Sequence, residues 1–209
     1  MLTVCGVLLL GTAASVLLAA VPEEALPPDM AGLIEEARRQ ATFIRTLNAP
    51  RVAAPVDLYS QVIDLPEVTA PAARRLRLGT ETVGRLAQDA YRIENPDGSW
   101  AMYRVVHRAP RLRITHATGE FVIGLFSVKG QVWGLLRLEP DQVGVNQSLV
   151  AVVLVENKMT AFLTKFVQFV MPGIADHELL RGFLITRLVS EWAHDQPETF
   201  CRFLLSVPR

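Results

Sequence analysis

The stretch from Tyr91 to Glu156 constrains this chain more than any other. Val, Ile, Leu, Phe, Trp and Tyr crowd it, as a pleated and largely buried surface requires. Pro96-Asp97-Gly98, Ala109-Pro110, Thr118-Gly119, Lys129-Gly130 and Pro140-Asp141 punctuate it at hairpin intervals. Strands are expected near 90–95, 99–108, 111–117, 120–128, 131–139 and 148–156. In 111–117, Leu112, Ile114 and His116 share one face; in 120–128 and 148–156 both faces are apolar. An antiparallel sheet with one wet face alternates. The central strands are therefore expected to be covered on both sides or to face a cavity.

Helical patterns flank this block. Asp29 offers an N-cap to Leu33, Ile34, Ala37, Ala41, Ile44 and Leu47, with Asn48 and Pro50 as the stop. Val56, Tyr59, Val62 and Ile63 make a short apolar face ended by Leu65-Pro66, and Pro71 opens a second helix that Gly79 can cap. Beyond the strands, Asn157 offers a cap to a Phe162, Phe166, Phe169 and Val170 stripe, which Met171-Pro172-Gly173 breaks. Asp176 can cap the next helix, with Leu180, Phe183, Leu184, Leu188 and Trp192 on one face, and Pro197 opens a last one. The reading is a tether and surface helix over 22–51, then an α+β domain over 52–209.

Residues Met1 to Pro22 carry no charged side chain. Segment 1–21 reads as a signal peptide, with small residues for cleavage after Ala20, or as an uncleaved membrane anchor. The expected location is exported: periplasmic, or held at the inner membrane. Cleavage would leave Cys201 as the sole cysteine, which excludes a disulfide framework. The 21 basic and 21 acidic side chains cancel, giving no footing for nucleic acid. Arg104, His107, Arg108, Arg111 and Arg113 read as the solvated face of adjacent strands.

No catalytic signature is present. The chain has no H-E-x-x-H, no G-x-S-x-G and no glycine-rich phosphate loop. Its four histidines are not paired at metal spacing, and neither a metal nor a cofactor is expected. His116 reads as a hydrogen-bonded core or cavity histidine, and Cys201 as core packing.

The order of elements, with the run Val56-Asp57-Leu58-Tyr59-Ser60-Gln61-Val62-Ile63-Asp64-Leu65-Pro66 at its start and Phe162 to Trp192 at its close, resembles the helix-grip fold of START-like, polyketide-cyclase-like lipid-binding domains over roughly 52–205. No strand is read before Val56 unless Arg51 to Pro55 forms a short one. The resemblance implies about six antiparallel strands wrapped on a long C-terminal helix, with an apolar cavity between them. Strand alternation then names a lining: Leu112, Ile114, His116, Phe121, Ile123 and Leu136, with Val132 and Leu138 also inward, Trp133 outside or at the rim, and Phe183 beside Gly182 as a lid. The expected function is non-catalytic binding or carriage of a hydrophobic small molecule or lipid. The alternative is an envelope structural or interaction module with a filled core. A cyclase or hydrolase using His116 and a nearby carboxylate is the least favoured reading.

Overall fold

The computed structural model describes residues 26–123, 126–156 and 171–207. The chain divides into two compact units, Met1–Glu36 and Ala37–Arg209, and the β-sheet lies wholly in the second. The 1–21 segment, the Asn157 cap and the Phe162 to Val170 stripe fall outside the described residues. Among the described residues no helix is long and apolar enough to cross a membrane.

Helix α1 (Pro28–Arg39) buries Met30, Ile34 and Ala37, the three- and four-residue spacing of one helical face. Asp29 in its first turn and Arg38 and Arg39 in its last complement the helix dipole. The helical spacing extended further, to Ile44 and Leu47, but the chain instead forms strand β1 (Phe43–Val52). Pairing with a long neighbour overrides the local pattern there: Phe43 lies opposite Val153, Leu47 opposite Leu149 and Asn48 opposite Ser148.

Helix α2 (Val56–Asp64) forms as expected, whereas α3 (Pro66–Arg75) opens at Pro66, in the expected break, and carries Pro71, the expected opener, inside it. The cap of α3 is different. Arg77, not Gly79, takes the left-handed conformation (φ 60°), and Leu78 N–H reaches back to the Ala73 carbonyl at 2.9 Å. Six further strands come next: β2 (Thr82–Ala87), β3 (Ala90–Glu94), β4 (Trp100–Ala109), β5 (Leu112–Ile123), β6 (Phe126–Asp141) and β7 (Gly144–Val155). They form one antiparallel sheet of seven strands in the order β1-β7-β6-β5-β4-β3-β2.

Two expected turns are not turns. β5 runs unbroken through Thr118-Gly119 and β6 through Lys129-Gly130, and the two glycines lie opposite each other. A Cβ on Gly119 would strike the Trp100 carbonyl oxygen, and one on Gly130 the Leu154 carbonyl oxygen. These glycines let neighbouring backbones close in. The turns at Pro96-Asp97-Gly98 and after Pro140 form as read: Asp97 accepts from Ser99 N–H at 2.8 Å, and Asp141 from Val143 N–H at 2.9 Å.

The chain closes with α4 (Met171–Asp195) and α5 (Pro197–Ser206). Asp176 is not a cap; it lies inside α4 and holds Arg45 of β1 through two hydrogen bonds, 2.9 and 2.7 Å. The buried face of α4 carries Phe183, Ile185, Val189, Ser190 and Ala193, while Leu180 and Leu184 are exposed. The leucine stripe is thus turned away from the core. The contact with α2 and α3 selects smaller residues instead: Ile185, Val189 and Ala193 pack with Val62, Ala72, Ala73 and Phe200. Trp192 meets Phe200 edge-on at 5.0 Å and Phe203 at 5.1 Å. Cys201, expected in the core, is exposed.

Candidate functional site

Residues opposite each other across strands share a face, so register decides which side chains meet the helices. Thr115 lies opposite Gly134, Arg113 opposite Leu136, and Leu136 opposite Leu149. Tyr103 lies opposite Ala117 on one side and Tyr91 on the other. Between this face and helices α2, α3 and α4 lies a cavity of about 430 Å³, lined by Tyr103, Thr115, Leu136 and Leu149 from the sheet, Tyr59, Val62 and Ile63 from α2, Ala70 and Ala73 from α3, and Gly182, Phe183 and Thr186 from α4. Two glycines lie nearby, with different surroundings. A Cβ added to Gly182 would find nothing within 4 Å, and one on Gly134 would lie 2.6 Å from the Thr115 hydroxyl. A second pocket of about 220 Å³ shares Ile93 with the first and is lined by Ala101, Ala117, Phe121, Val132, Val153 and Met171.

Two tyrosines reach the larger cavity, and they are not equivalent. The Tyr59 hydroxyl hydrogen-bonds Gln147 Oε1 and lies 3.3 Å from the Thr186 hydroxyl. Gln147 in turn donates to the Pro50 carbonyl at 3.2 Å, and Thr186 donates to backbone carbonyls of its own helix. That knot is closed. Burial outweighs these hydrogen bonds and pushes the Tyr59 phenol up to about 12. Tyr103 has no such partner: its hydroxyl makes no hydrogen bond to any described residue. Burial also pushes its phenol well above the ordinary range, and the Asp64 carboxylate adds to the effect.

The charged groups near the cavity are paired. Arg113, expected on a solvated face, is 7% exposed and pairs with Asp64 at the end of α2. Arg108 joins Asp64 at 3.2 Å and Asp89 at 2.6 Å. Glu81 and Glu178 line the cavity where it reaches solvent, and Arg181 bridges them, 3.0 Å from Glu178 and in contact with Glu81. Arg74 fixes the Glu81 carbonyl at 2.5 Å. Among the described residues no group of three or more His, Cys, Asp or Glu is placed to hold a metal ion.

The residues named from the sequence divide. Leu136 and Phe183 line the larger cavity, Phe121 and Val132 the smaller pocket, and Leu138 packs on Tyr59 in the core beside them. Leu112, Ile114 and His116 lie on the opposite face of β5 from Arg113 and Thr115, so the inward orientation expected for them is corrected. Ile114 is fully buried there. His116 stacks on Trp133 at 4.5 Å and meets Gln131 at 3.1 Å. The side chain of Ile123 falls outside the described residues. Because β5 is continuous, Phe121 and Thr115 share a face, and an inward Phe121 excludes an inward Ile114. Tyr59, Tyr103, Thr115 and Leu149 were not named as lining; the register of an unbroken β5 is the signal that would have found the two on β4 and β5.

No family model matches the sequence, and no curated protein matches it. Among solved structures, the chain is similar to a conserved protein from Geobacillus kaustophilus, with a TM-score of 0.54 and 13% identity over 73% of this chain and 97% of that one. It is also similar to Ara h 8.0201 (TM-score 0.45, 10% identity, 71% of this chain and 95% of that one). A third likeness is to the di-domain ARO/CYC StfQ from the steffimycin biosynthetic pathway (TM-score 0.45, 13% identity, 78% of this chain and 55% of that one). At these identities likeness concerns the fold alone. The chain is a helix-grip protein by architecture: seven antiparallel strands, helices leading into the sheet, and a long C-terminal helix across one face.

Proposed function

We propose that this protein binds a hydrophobic small molecule or lipid between the sheet and α4, without acting on it chemically, and that it does so in the cell envelope. The observation that carries this reading is the cavity of about 430 Å³ with its mainly apolar walls, a size at which small-molecule sites become common. Catalysis through His116 finds no support in the geometry, because that ring is engaged by Gln131 and Trp133 on the other face of the sheet.

Two measurements test the reading. Organic extraction of the purified full chain, followed by mass spectrometry, should release a co-purifying apolar compound. Titration with the neutral dye N-phenyl-1-naphthylamine should give saturable, blue-shifted fluorescence. Clean protein that leaves the dye dark would favour a structural or interaction module. Fractionation of cells expressing the full chain tests the location, and recovery in the cytosolic fraction would overturn it.

A further inference from the structure

We propose that Tyr103 is the polar contact of the cavity and that the ligand presents to it a neutral oxygen acceptor, such as a ketone, ether or ester, in preference to a carboxylate. This rests on the reading of the cavity as a ligand site. A phenol in an apolar enclosure ordinarily finds a partner, because leaving it unpaired forfeits a hydrogen bond already given up by water. The Tyr59 hydroxyl, on the opposite wall, obeys that rule through Gln147 and Thr186. The Tyr103 side chain lines the same cavity, yet its hydroxyl makes no hydrogen bond to any described residue. Nor is it sealed against protein, since it is not among the fully enclosed unpaired atoms, which are Glu67 Oε2 and His107 Nε2. The side chain as a whole is half-buried, and the cavity is the apolar space that it lines.

The choice of acceptor follows from the surrounding charge. Among the described residues the charged side chains on the cavity wall are Glu81 and Glu178. The nearby guanidiniums are already engaged: Arg113 and Arg108 by Asp64, and Arg181 by the two glutamates. A carboxylate would therefore lose its hydration and share the cavity with two like charges. An ammonium would have to displace Arg181. A neutral oxygen does neither.

The test uses the full chain and displacement of N-phenyl-1-naphthylamine by three matched competitors: 2-ethylnaphthalene, 2-acetylnaphthalene and 2-naphthoate. The ketone should displace the dye at a concentration about three- to ten-fold lower than the hydrocarbon, the worth of one neutral hydrogen bond, and the carboxylate should be weakest. Tyr103→Phe should abolish the ketone preference and leave the hydrocarbon affinity unchanged. Tyr59→Phe should keep the preference even though it lowers the unfolding midpoint. Equal affinities for ketone and hydrocarbon, a preference that survives Tyr103→Phe, or tighter binding of naphthoate would each overturn the assignment while leaving the cavity a binding site. Failure of the dye itself to bind would instead remove the reading on which the assignment rests.

Discussion

Arg113 Nε lies 3.0 and 3.2 Å from the two carboxylate oxygens of Asp64, tying the middle of the sheet to the last residue of α2. The same guanidinium also donates through Nη1 to the Ala109 and Leu112 carbonyls, and the side chain is buried. Removing one partner of such a pair leaves a desolvated charge behind. Asp64→Ala should therefore lower the unfolding free energy by about 3 kcal/mol or more. The double replacement Asp64→Leu with Arg113→Met should recover most of that loss. Urea denaturation of the three proteins is the check, and a single variant no weaker than the double one would contradict it.

The three tyrosines of the chain give a prediction about alkaline pH. Tyr59, Tyr91 and Tyr103 are all raised above the ordinary value of 10.0, Tyr59 to about 12, chiefly by burial. Between pH 10 and 12 the unfolded chain has lost a Tyr59 proton that the folded chain still holds. Stability is then full below pH 10 and falls as pH rises toward 12. A spectrophotometric titration at 295 nm should show the Tyr59 phenolate, identified by its loss in Tyr59→Phe, appearing only well above pH 10 and together with loss of far-UV ellipticity. Tyr59→Phe should flatten the pH dependence of stability across that interval.

Gly182 sits in the middle of α4, exposed, at the edge of the cavity, and a side chain added there would meet nothing within 4 Å. Gly182→Ala should stabilise the helix by about 0.5–1 kcal/mol, from backbone entropy alone. Gly182→Leu should go further and fill the void, weakening N-phenyl-1-naphthylamine binding at least ten-fold while the unfolding midpoint is held or raised. A leucine variant that binds the dye normally would show that the dye sits elsewhere.

Arg181 bridges Glu81 and Glu178 at the cavity's exposed end. Such partly solvated pairs contribute little to stability, so Arg181→Gln should cost under about 1 kcal/mol. Its effect should fall on rates instead. Stopped-flow dye release should quicken several-fold in the variant, and added salt should quicken release from the wild type but not from the variant.

The reading of the central sheet from sequence succeeded at 148–156, which lies in β7 but for its last residue. At 120–128, equally apolar on both faces, it ran the end of β5 and the start of β6 together as one strand. It failed where polarity ran against position. Arg113 and Thr115 face the helices and Leu112 and Ile114 face away, since the arginine has a carboxylate waiting for it. Arg45 obscured β1 in the same way: an inward arginine satisfied by Asp176 leaves no apolar alternation to see, while Ala41, Ile44 and Leu47 happen to continue a helical spacing. Strand β2 is mostly exposed, so burial imposes no pattern on Thr82–Ala87. Gly119 and Gly130 imitate turns because glycine serves close backbone approach as readily as reversal. Phe183 was expected at the cavity as a large ring beside Gly182, and it lines it, whereas Tyr103 needed the pairing partners of β4.

The tie between Arg45 and Asp176 has a mechanical counterpart at the other end of α4, where Glu191 accepts the Ala53 N–H at 3.0 Å. Eight extended residues from Arg45 to Ala53 cover roughly 26 Å, and fifteen helical ones from Asp176 to Glu191 cover about 22 Å, so the two fastenings sit at matching heights. The helix is thereby hung along one margin of the sheet like a shutter on two hinges. Translation away from the sheet would break both fastenings together. The other flank of α4 is held differently, by Ile185, Val189 and Ala193 packed on Val62, Ala72 and Ala73 and by the contact of Arg181 with Glu81.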